Sequence, residues 1–260
     1  MTPADHFSSQ ATGYARYRPG YPAALFAGLG DLCPRHELAW DCGTGNGQAA
    51  AGLARHFRRV IATDPSGGQL GNAKAAANID YRLAAEADVH IAGGSVDLVC
   101  AAQAAHWFDL DRFYSEVRRV ATLPGIVALW TYRLPRVVPA VDALIDEFHG
   151  PVVGVYWPTE RRHVDSGYRD LPFPFEEIML PAMDHAVQWT AGHLLEYLGT
   201  WSAVKYFRQA TGTDPVARLR DPLLAAWGGE RERTVHWPLA IRIGRVHAPR
   251  GSTAAGLVRR

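Results

Sequence analysis

An excess of charge of either sign is the first thing this sequence lacks. Its 27 Lys and Arg residues are balanced by 26 Asp and Glu, for a net charge of +1. A nucleic-acid surface or a polybasic membrane patch needs a basic excess, so neither partner is expected. The pairs Arg58-Arg59, Arg118-Arg119 and Arg161-Arg162 read instead as solvated faces or single-anion contacts. Cysteine is scarce: Cys33, Cys42 and Cys100, with no C-x-x-C spacing. That excludes a disulfide scaffold, and reduced, buried thiols point to a cytoplasmic protein. HExxH and carboxylate clusters at ligand spacing are also missing, so no metal is expected. No apolar run reaches the roughly 20 residues that cross a bilayer. Met1 to Gln10 is polar rather than signal-like. What remains, at 260 residues and 48% hydrophobic content, is one large α/β domain or a domain with a modest insertion.

What is present in quantity is glycine, and its densest placement is the most informative stretch. Ala39-Trp40-Asp41-Cys42-Gly43-Thr44-Gly45-Asn46-Gly47 leads from an apolar strand into three alternate glycines and then into the helix-prone run Gln48 to His56. Glycines at a strand-to-helix turn let a ligand approach the backbone closely. Asp64 ends the next strand-like run, Val60 to Thr63. It lies roughly 20 residues on, where a nucleoside-binding α/β unit places a carboxylate against a ribose hydroxyl pair. A dinucleotide turn reads G-x-G-x-x-G, but its third glycine position is Gln48 here. Asp41 would also repel a pyrophosphate and attract an ammonium. The ligand expected is therefore one with an amine and a ribose but no phosphate, which S-adenosylmethionine satisfies. A nicotinamide-dependent dehydrogenase is disfavoured on the same two residues.

Along the chain, strands are expected at Glu37–Asp41, Val60–Thr63, Ile79–Leu83, Val96–Ala101 and Ile126–Trp130. Helices are expected at 22–29, 47–56, through the alanines of 73–77, and at 110–121. This alternation predicts a doubly wound, Rossmann-like α/β fold with a seven-stranded sheet. After Tyr132 the rhythm breaks into a proline- and aromatic-rich segment with helices at 141–149 and 191–209. Two late strands, Arg233–Trp237 and Leu239–Arg245, return to the sheet on either side of Pro238, one of them antiparallel. The organisation expected is an N-terminal lid and first helix over 1–30, a binding domain over 31–133 and 223–247, a helical and aromatic cap insertion over 134–222, and a flexible tail over 248–260.

The D-x-G-x-G-x-G turn resembles the first motif of the class I S-adenosylmethionine-dependent methyltransferases. The spaced set Phe7, Ala11, Tyr14, Arg18, Pro19, Tyr21 and Pro22 is similar to the opening signature of the branch called methyltransferase type 11, which includes relatives of trans-aconitate methyltransferase. Asp97-Leu98-Val99 with Ala105-His106-Trp107-Phe108 is similar to that family's fourth-strand motif. Glu116, Arg119-Val120 and Leu123-Pro124-Gly125 are similar to its E…RVLKPGG segment, with Ile126 in place of the second glycine. The resemblance spans nearly the whole chain. It is specific for fold and cofactor and not for acceptor.

The resemblance implies a cofactor set of Arg18, Asp41, Gly43, Thr44, Gly45, Gly47, Asp64, Pro65, Ala85, Glu86 and Gln103. In it the glycines admit the methionine part and Asp41 holds the ammonium directly or through water. Asp64 takes the ribose, Ala85-Glu86 sit at the adenine, Gln103 faces the methionine amine and Arg18 pairs the carboxylate. His106 and Tyr14 are the catalytic candidates. His106 is a base, a substrate-orienting group or a structural histidine, and Tyr14 is a closing residue or lid packing. Trp107, Tyr132, Trp157 and Tyr168, with Trp201, are expected to line an apolar acceptor chamber, near which Arg161, Arg162 and His163 could neutralise an acid. The expected activity is methyl transfer to a small molecule, foremost O-methylation of a carboxylate or hydroxyl. N- or C-methylation of a secondary metabolite or quinone-like acceptor, and a non-catalytic cofactor-binding regulator, are the alternatives. The protein is expected to be a monomer or homodimer.

Overall fold

The computed structural model describes residues 18–229 and 231–247. Phe7, Ala11, Tyr14 and the tail over 248–260 lie outside the described residues.

Strands β1 (Leu38–Cys42), β2 (Arg59–Asp64), β3 (Ile79–Leu83), β4 (Val96–Ala102) and β5 (Ala121–Tyr132) pair in parallel in the order β3-β2-β1-β4-β5. Their side chains divide by the two-residue period of a strand. Trp40, Ile61, Val99, Ala101, Val127 and Leu129 face one side, where helix α4 (Leu110–Val120) lays Phe113, Val117 and Val120 on them. Ala39, Val60, Ala62, Leu98, Cys100, Ile126, Ala128 and Trp130 face the other. Helices α1 (Ala23–Asp31) and α2 (Gln48–Leu53) cover that side with Leu25, Phe26, Leu29, Ala50 and Leu53. The α/β doubly wound expectation therefore holds, because β1, β2, β4 and β5 are buried on both faces. The chain winds outward from β1 to β3, then crosses back to place β4 on the other side of β1. That reversal leaves a crevice above the carboxyl ends of β1 and β4.

Several details differ from expectation. Helix α3 covers only Gly67–Leu70, and the alanines of 73–77 are not helical. Gly71 and Asn72 follow it, Ala75, Ala76 and Ala77 are exposed, and a short helix with no face to bury is marginal in water. The two late strands are a single strand, β8 (Arg233–Val246), antiparallel to β5. Pro238 sits inside it at a change of partners: residues 233–238 pair with β7 (Asp184–Trp189), and 239–246 pair with β5. The insertion contributes both β7 and β6 (Glu176–Ile178), so the sheet has eight strands rather than seven.

The insertion also carries α5 (Pro139–Glu147), a π-helical turn at Phe148–Val152, α6 (Arg161–Asp165), α7 (Ala191–Gly199) and α8 (Ser202–Thr211), the last two split at Trp201. Helix α9 (Pro215–Trp227) packs on the same core through Leu219, Leu223 and Trp227, joined by Val235 and Trp237 of β8. The domain boundary expected between 222 and 223 thus falls inside a helix. Among the described residues, no helix is long and apolar enough to cross a membrane.

Candidate functional site

The crevice is a pocket of about 740 Å³. Its floor is the turn after β1. Gly43, Gly45 and Gly47 all take positive φ, at 69°, 57° and 80°. A Cβ on Gly43 would lie 2.5 Å from Ala104 Cβ, so the turn packs directly on the loop after β4. Gly43, Thr44 and Gly45 line the pocket. Gly47 does not, and faces the adjoining groove between α1 and α2. A Cβ there would come within 2.2 Å of the Tyr81 hydroxyl. Its role is close packing.

Asp41 is fully buried below this turn and does not line the pocket. It accepts a hydrogen bond from Thr44 Oγ1 at 2.5 Å and one from Cys100 Sγ at 3.4 Å. Burial pushes its carboxyl up to about 6. Asp41 thus sits behind the pocket lining, with Thr44, which does line it, hydrogen-bonded to its carboxylate.

Asp64 lies on the pocket wall with Pro65. Its Oδ2 accepts Gly45 N–H at 2.9 Å and its Oδ1 accepts Ser66 N–H at 2.8 Å. Each oxygen keeps a lone pair for a further donor. Burial raises its pKa, opposed by those two backbone bonds. Beyond it, Ser66 caps α3 by accepting from Gln69 N, and Gln69 is folded back into the pocket wall.

The third wall is the loop after β4. Gln103 takes φ +55° and donates its N–H to Trp130 O. Its Oε1 accepts from Thr131 Oγ1 at 2.7 Å, which leaves Nε2 buried without a partner. Trp107 and Phe108 close this side, and Tyr21 closes the side nearest α1.

Several expected residues are placed elsewhere. Ala85 and Glu86 do not line the pocket, and Glu86 Oε1 accepts Asp109 N–H. The Arg18 guanidinium donates to Thr200 Oγ1, Thr200 O and Tyr132 Oη, tying the insertion to the sheet. Tyr132 is thereby a partner of Arg18 rather than part of the pocket wall. Trp157 packs on His149 and Trp201 with Arg161 over its ring, and Trp201 is buried among them. Tyr168 is wholly buried. Trp157 and Trp201 therefore form insertion core, because their apolar faces are spent on each other, whereas Tyr168 joins the sheet core beneath α4. Tyr14 lies outside the described residues.

Tyr168 has a different connection to the site. Its hydroxyl lies 2.8 Å from His106 Nδ1, on the 3₁₀ turn Ala105–Trp107. His106 itself is half-buried and stands beside the pocket rather than in its lining. Burial, helped by the nearby Arg161 and His163, pushes its pKa down to about 3, so the imidazole is neutral at pH 7. Arg161 is paired to Asp165 and His163 to Asp170.

Sequence reasoning missed Ser66 and Gln69. Their one signal is a cap residue two positions after Asp64, followed by a polar residue on the buried side of the first helical turn. The pocket suits S-adenosylmethionine on its own chemistry. It offers a carboxylate with two spare lone pairs, open space above Gly45, and two buried amide atoms awaiting partners.

Comparison with known proteins agrees. Residues 40–129 match the methyltransferase domain family. A Dictyostelium discoideum protein described as a methyltransferase is 33% identical over 227 residues, 86% of each chain. A Mycobacterium tuberculosis protein described as a methyltransferase is 31% identical over 186 residues, 71% of this chain and 70% of that one. The solved structure of a type II methyltransferase from Anaeromyxobacter dehalogenans is 48% identical, covers 90% of this chain and all of that one, and superposes with a TM-score of 0.84. A carboxylate-ended second strand, a glycine turn at the β1/β4 crevice and these relatives lead to one assignment: the chain belongs to the class I S-adenosylmethionine-dependent methyltransferases.

Proposed function

We propose that the protein methylates an oxygen of a small-molecule acceptor, and that this oxygen belongs to a carboxylate. When bound, S-adenosylmethionine supplies a methyl group on a sulfonium, open to in-line attack by an aligned nucleophile. The chain's own residues would hold the ribose at Asp64 and pass the methionine part over Gly43 and Gly45. Gln103 would offer Nε2, a donor, to the cofactor carboxylate rather than to the amine.

The observation that carries the acceptor assignment is the state of His106. It stands on the turn after β4 beside the pocket, and its pKa of about 3 makes it a poor base. A general base works best with a pKa near the operating pH. Deprotonating an alcohol or an ammonium would fall to a group that holds protons weakly. A carboxylate is ionised at pH 7 and needs no base. Arg161, the second cause of the shift, is the nearby guanidinium, and it is paired with Asp165. His106, fixed by Tyr168, then orients the acceptor as a neutral hydrogen-bonding group.

The test uses methyl-labelled S-adenosylmethionine and a panel of carboxylic acids, phenols, alcohols and amines. Label released as methanol by mild alkali reports a methyl ester. Alkali-stable label on a phenol or amine would overturn the carboxylate assignment.

A further inference from the structure

Gln69 is the most deeply buried side chain of the pocket wall with a polar atom the fold leaves unpaired. Only 3% of the residue is exposed, and its Oε1 has no hydrogen-bond partner. A buried amide oxygen in that state destabilises the folded protein unless something fills the site. The backbone around it is fully engaged: Gln69 N donates to Ser66, whose own N–H is held by Asp64 Oδ1. The side chain is thus carried on a turn anchored to Asp64.

Its position is defined from a second direction. A Cβ built on Gly45 would stand 4.0 Å from Gln69 Oε1, with no nearer neighbour. Gly45 N–H is also the donor held by Asp64 Oδ2. Gln69 Oε1 and Asp64 Oδ2 therefore both lie beside the same glycine of the turn. The two acceptors converge on one region of the pocket. A group placed there must bring donors, and a vicinal pair of hydroxyls brings two.

We propose that Gln69 is a second reader of the cofactor ribose, sharing the hydroxyl pair with Asp64 and making the pocket selective for a free diol. The proposal rests on the assignment of this crevice to the cofactor. A carboxylate and an amide carbonyl side by side reject a phosphate ester at that position by charge and by lone-pair repulsion. They reject a deoxy sugar by leaving an acceptor unmet. Gln69 acts by positioning; it touches no reacting atom.

The test is calorimetric titration of S-adenosylhomocysteine, and of its 2′-deoxy and 3′-deoxy analogues, into the wild type and Gln69→Leu, with thermal melts of each protein alone. Losing one neutral hydrogen bond is expected to weaken S-adenosylhomocysteine binding by up to about tenfold. The ligand-free variant is expected to melt at the wild-type temperature or above it, since the orphaned oxygen is gone. The variant should also discriminate less than the wild type against at least one deoxy analogue. Equal discrimination by both proteins would overturn the proposal. So would a lower melting temperature with unchanged affinity, which marks a packing role. If the wild type fails to bind S-adenosylhomocysteine, the crevice assignment falls first and Gln69 with it. If the wild type binds and Gln69→Leu matches it for all three ligands, only the Gln69 proposal falls.

Discussion

A neutral imidazole held beside the site has a measurable consequence for stability against acid. The His106 pKa is depressed to about 3 in the folded protein, against an ordinary 6.5. Between those values the unfolded chain binds a proton that the folded chain refuses. The contribution is fully present above pH 6.5 and is lost as the pH falls toward 3. From pH 7 to pH 4.5 this one group removes on the order of 2–3 kcal/mol of stability. Asp41 works in the opposite sense. Its folded pKa is raised to about 6 from 3.8, so the folded protein takes up its proton first. Over the same interval it returns about 2 kcal/mol. The two effects nearly cancel in the wild type and separate in variants. His106→Asn keeps a polar atom near Nδ1 for Tyr168 and removes the titration. Urea unfolding at pH 7 and pH 4.5 should show this variant retaining on the order of 2–3 kcal/mol more of its own neutral-pH stability than the wild type does. Asp41→Asn should lose about 2 kcal/mol more than the wild type. If wild type and His106→Asn weaken in parallel, His106 is not a buried neutral group, and the argument against its acting as a base is refuted.

Two substitutions in the pocket follow from its geometry. Asp64→Ala removes the acceptor of Gly45 N–H and Ser66 N–H together with the ribose contact, and should weaken S-adenosylhomocysteine binding by roughly 1.5–3 kcal/mol of charge-assisted hydrogen bonding; unchanged affinity by calorimetry would remove Asp64 from the ribose. Gly43→Ala places a Cβ 2.5 Å from Ala104 Cβ at a φ of +69°, and should lower unfolding free energy by about 1–3 kcal/mol in denaturant melts; wild-type stability would mean the turn is not packed on the β4 loop as described.

The sequence carried the parts of this molecule that are written locally. The glycine turn, Asp64 and the strand runs were readable because a positive φ, a strand-end carboxylate and a double-faced apolar strand each demand particular residue types within a few positions. Gln69 was not readable, because its burial depends on a four-residue helix docking over Gly45. Strands β6 and β7 were hidden for a related reason. Glu176-Glu177-Ile178 has no strand pattern of its own and becomes one against the edge of β8. Tyr168 and Trp157 were expected in an acceptor chamber since aromatic type gives apolarity but not direction. Their neighbours, His106 in one case and His149 with Trp201 in the other, come from distant parts of the chain.

Strand β8 has a consequence for how the chain is made. It pairs with β5 and with both insertion strands, β6 and β7. During synthesis the glycine turn, Asp64 and the whole parallel sheet emerge long before it does. Until Arg233 to Val246 leave the ribosome, β5 has one open edge, while β6 and β7 have no partner among the described strands. A chain that ends before β8 would carry every residue of the nucleoside crevice's glycine turn and Asp64 but leave three strands as unsatisfied templates, a hazard for intermolecular pairing. Final closure is made by the last strand described, and an early stop codon in that stretch would leave a chain with its binding turn intact and its sheet open.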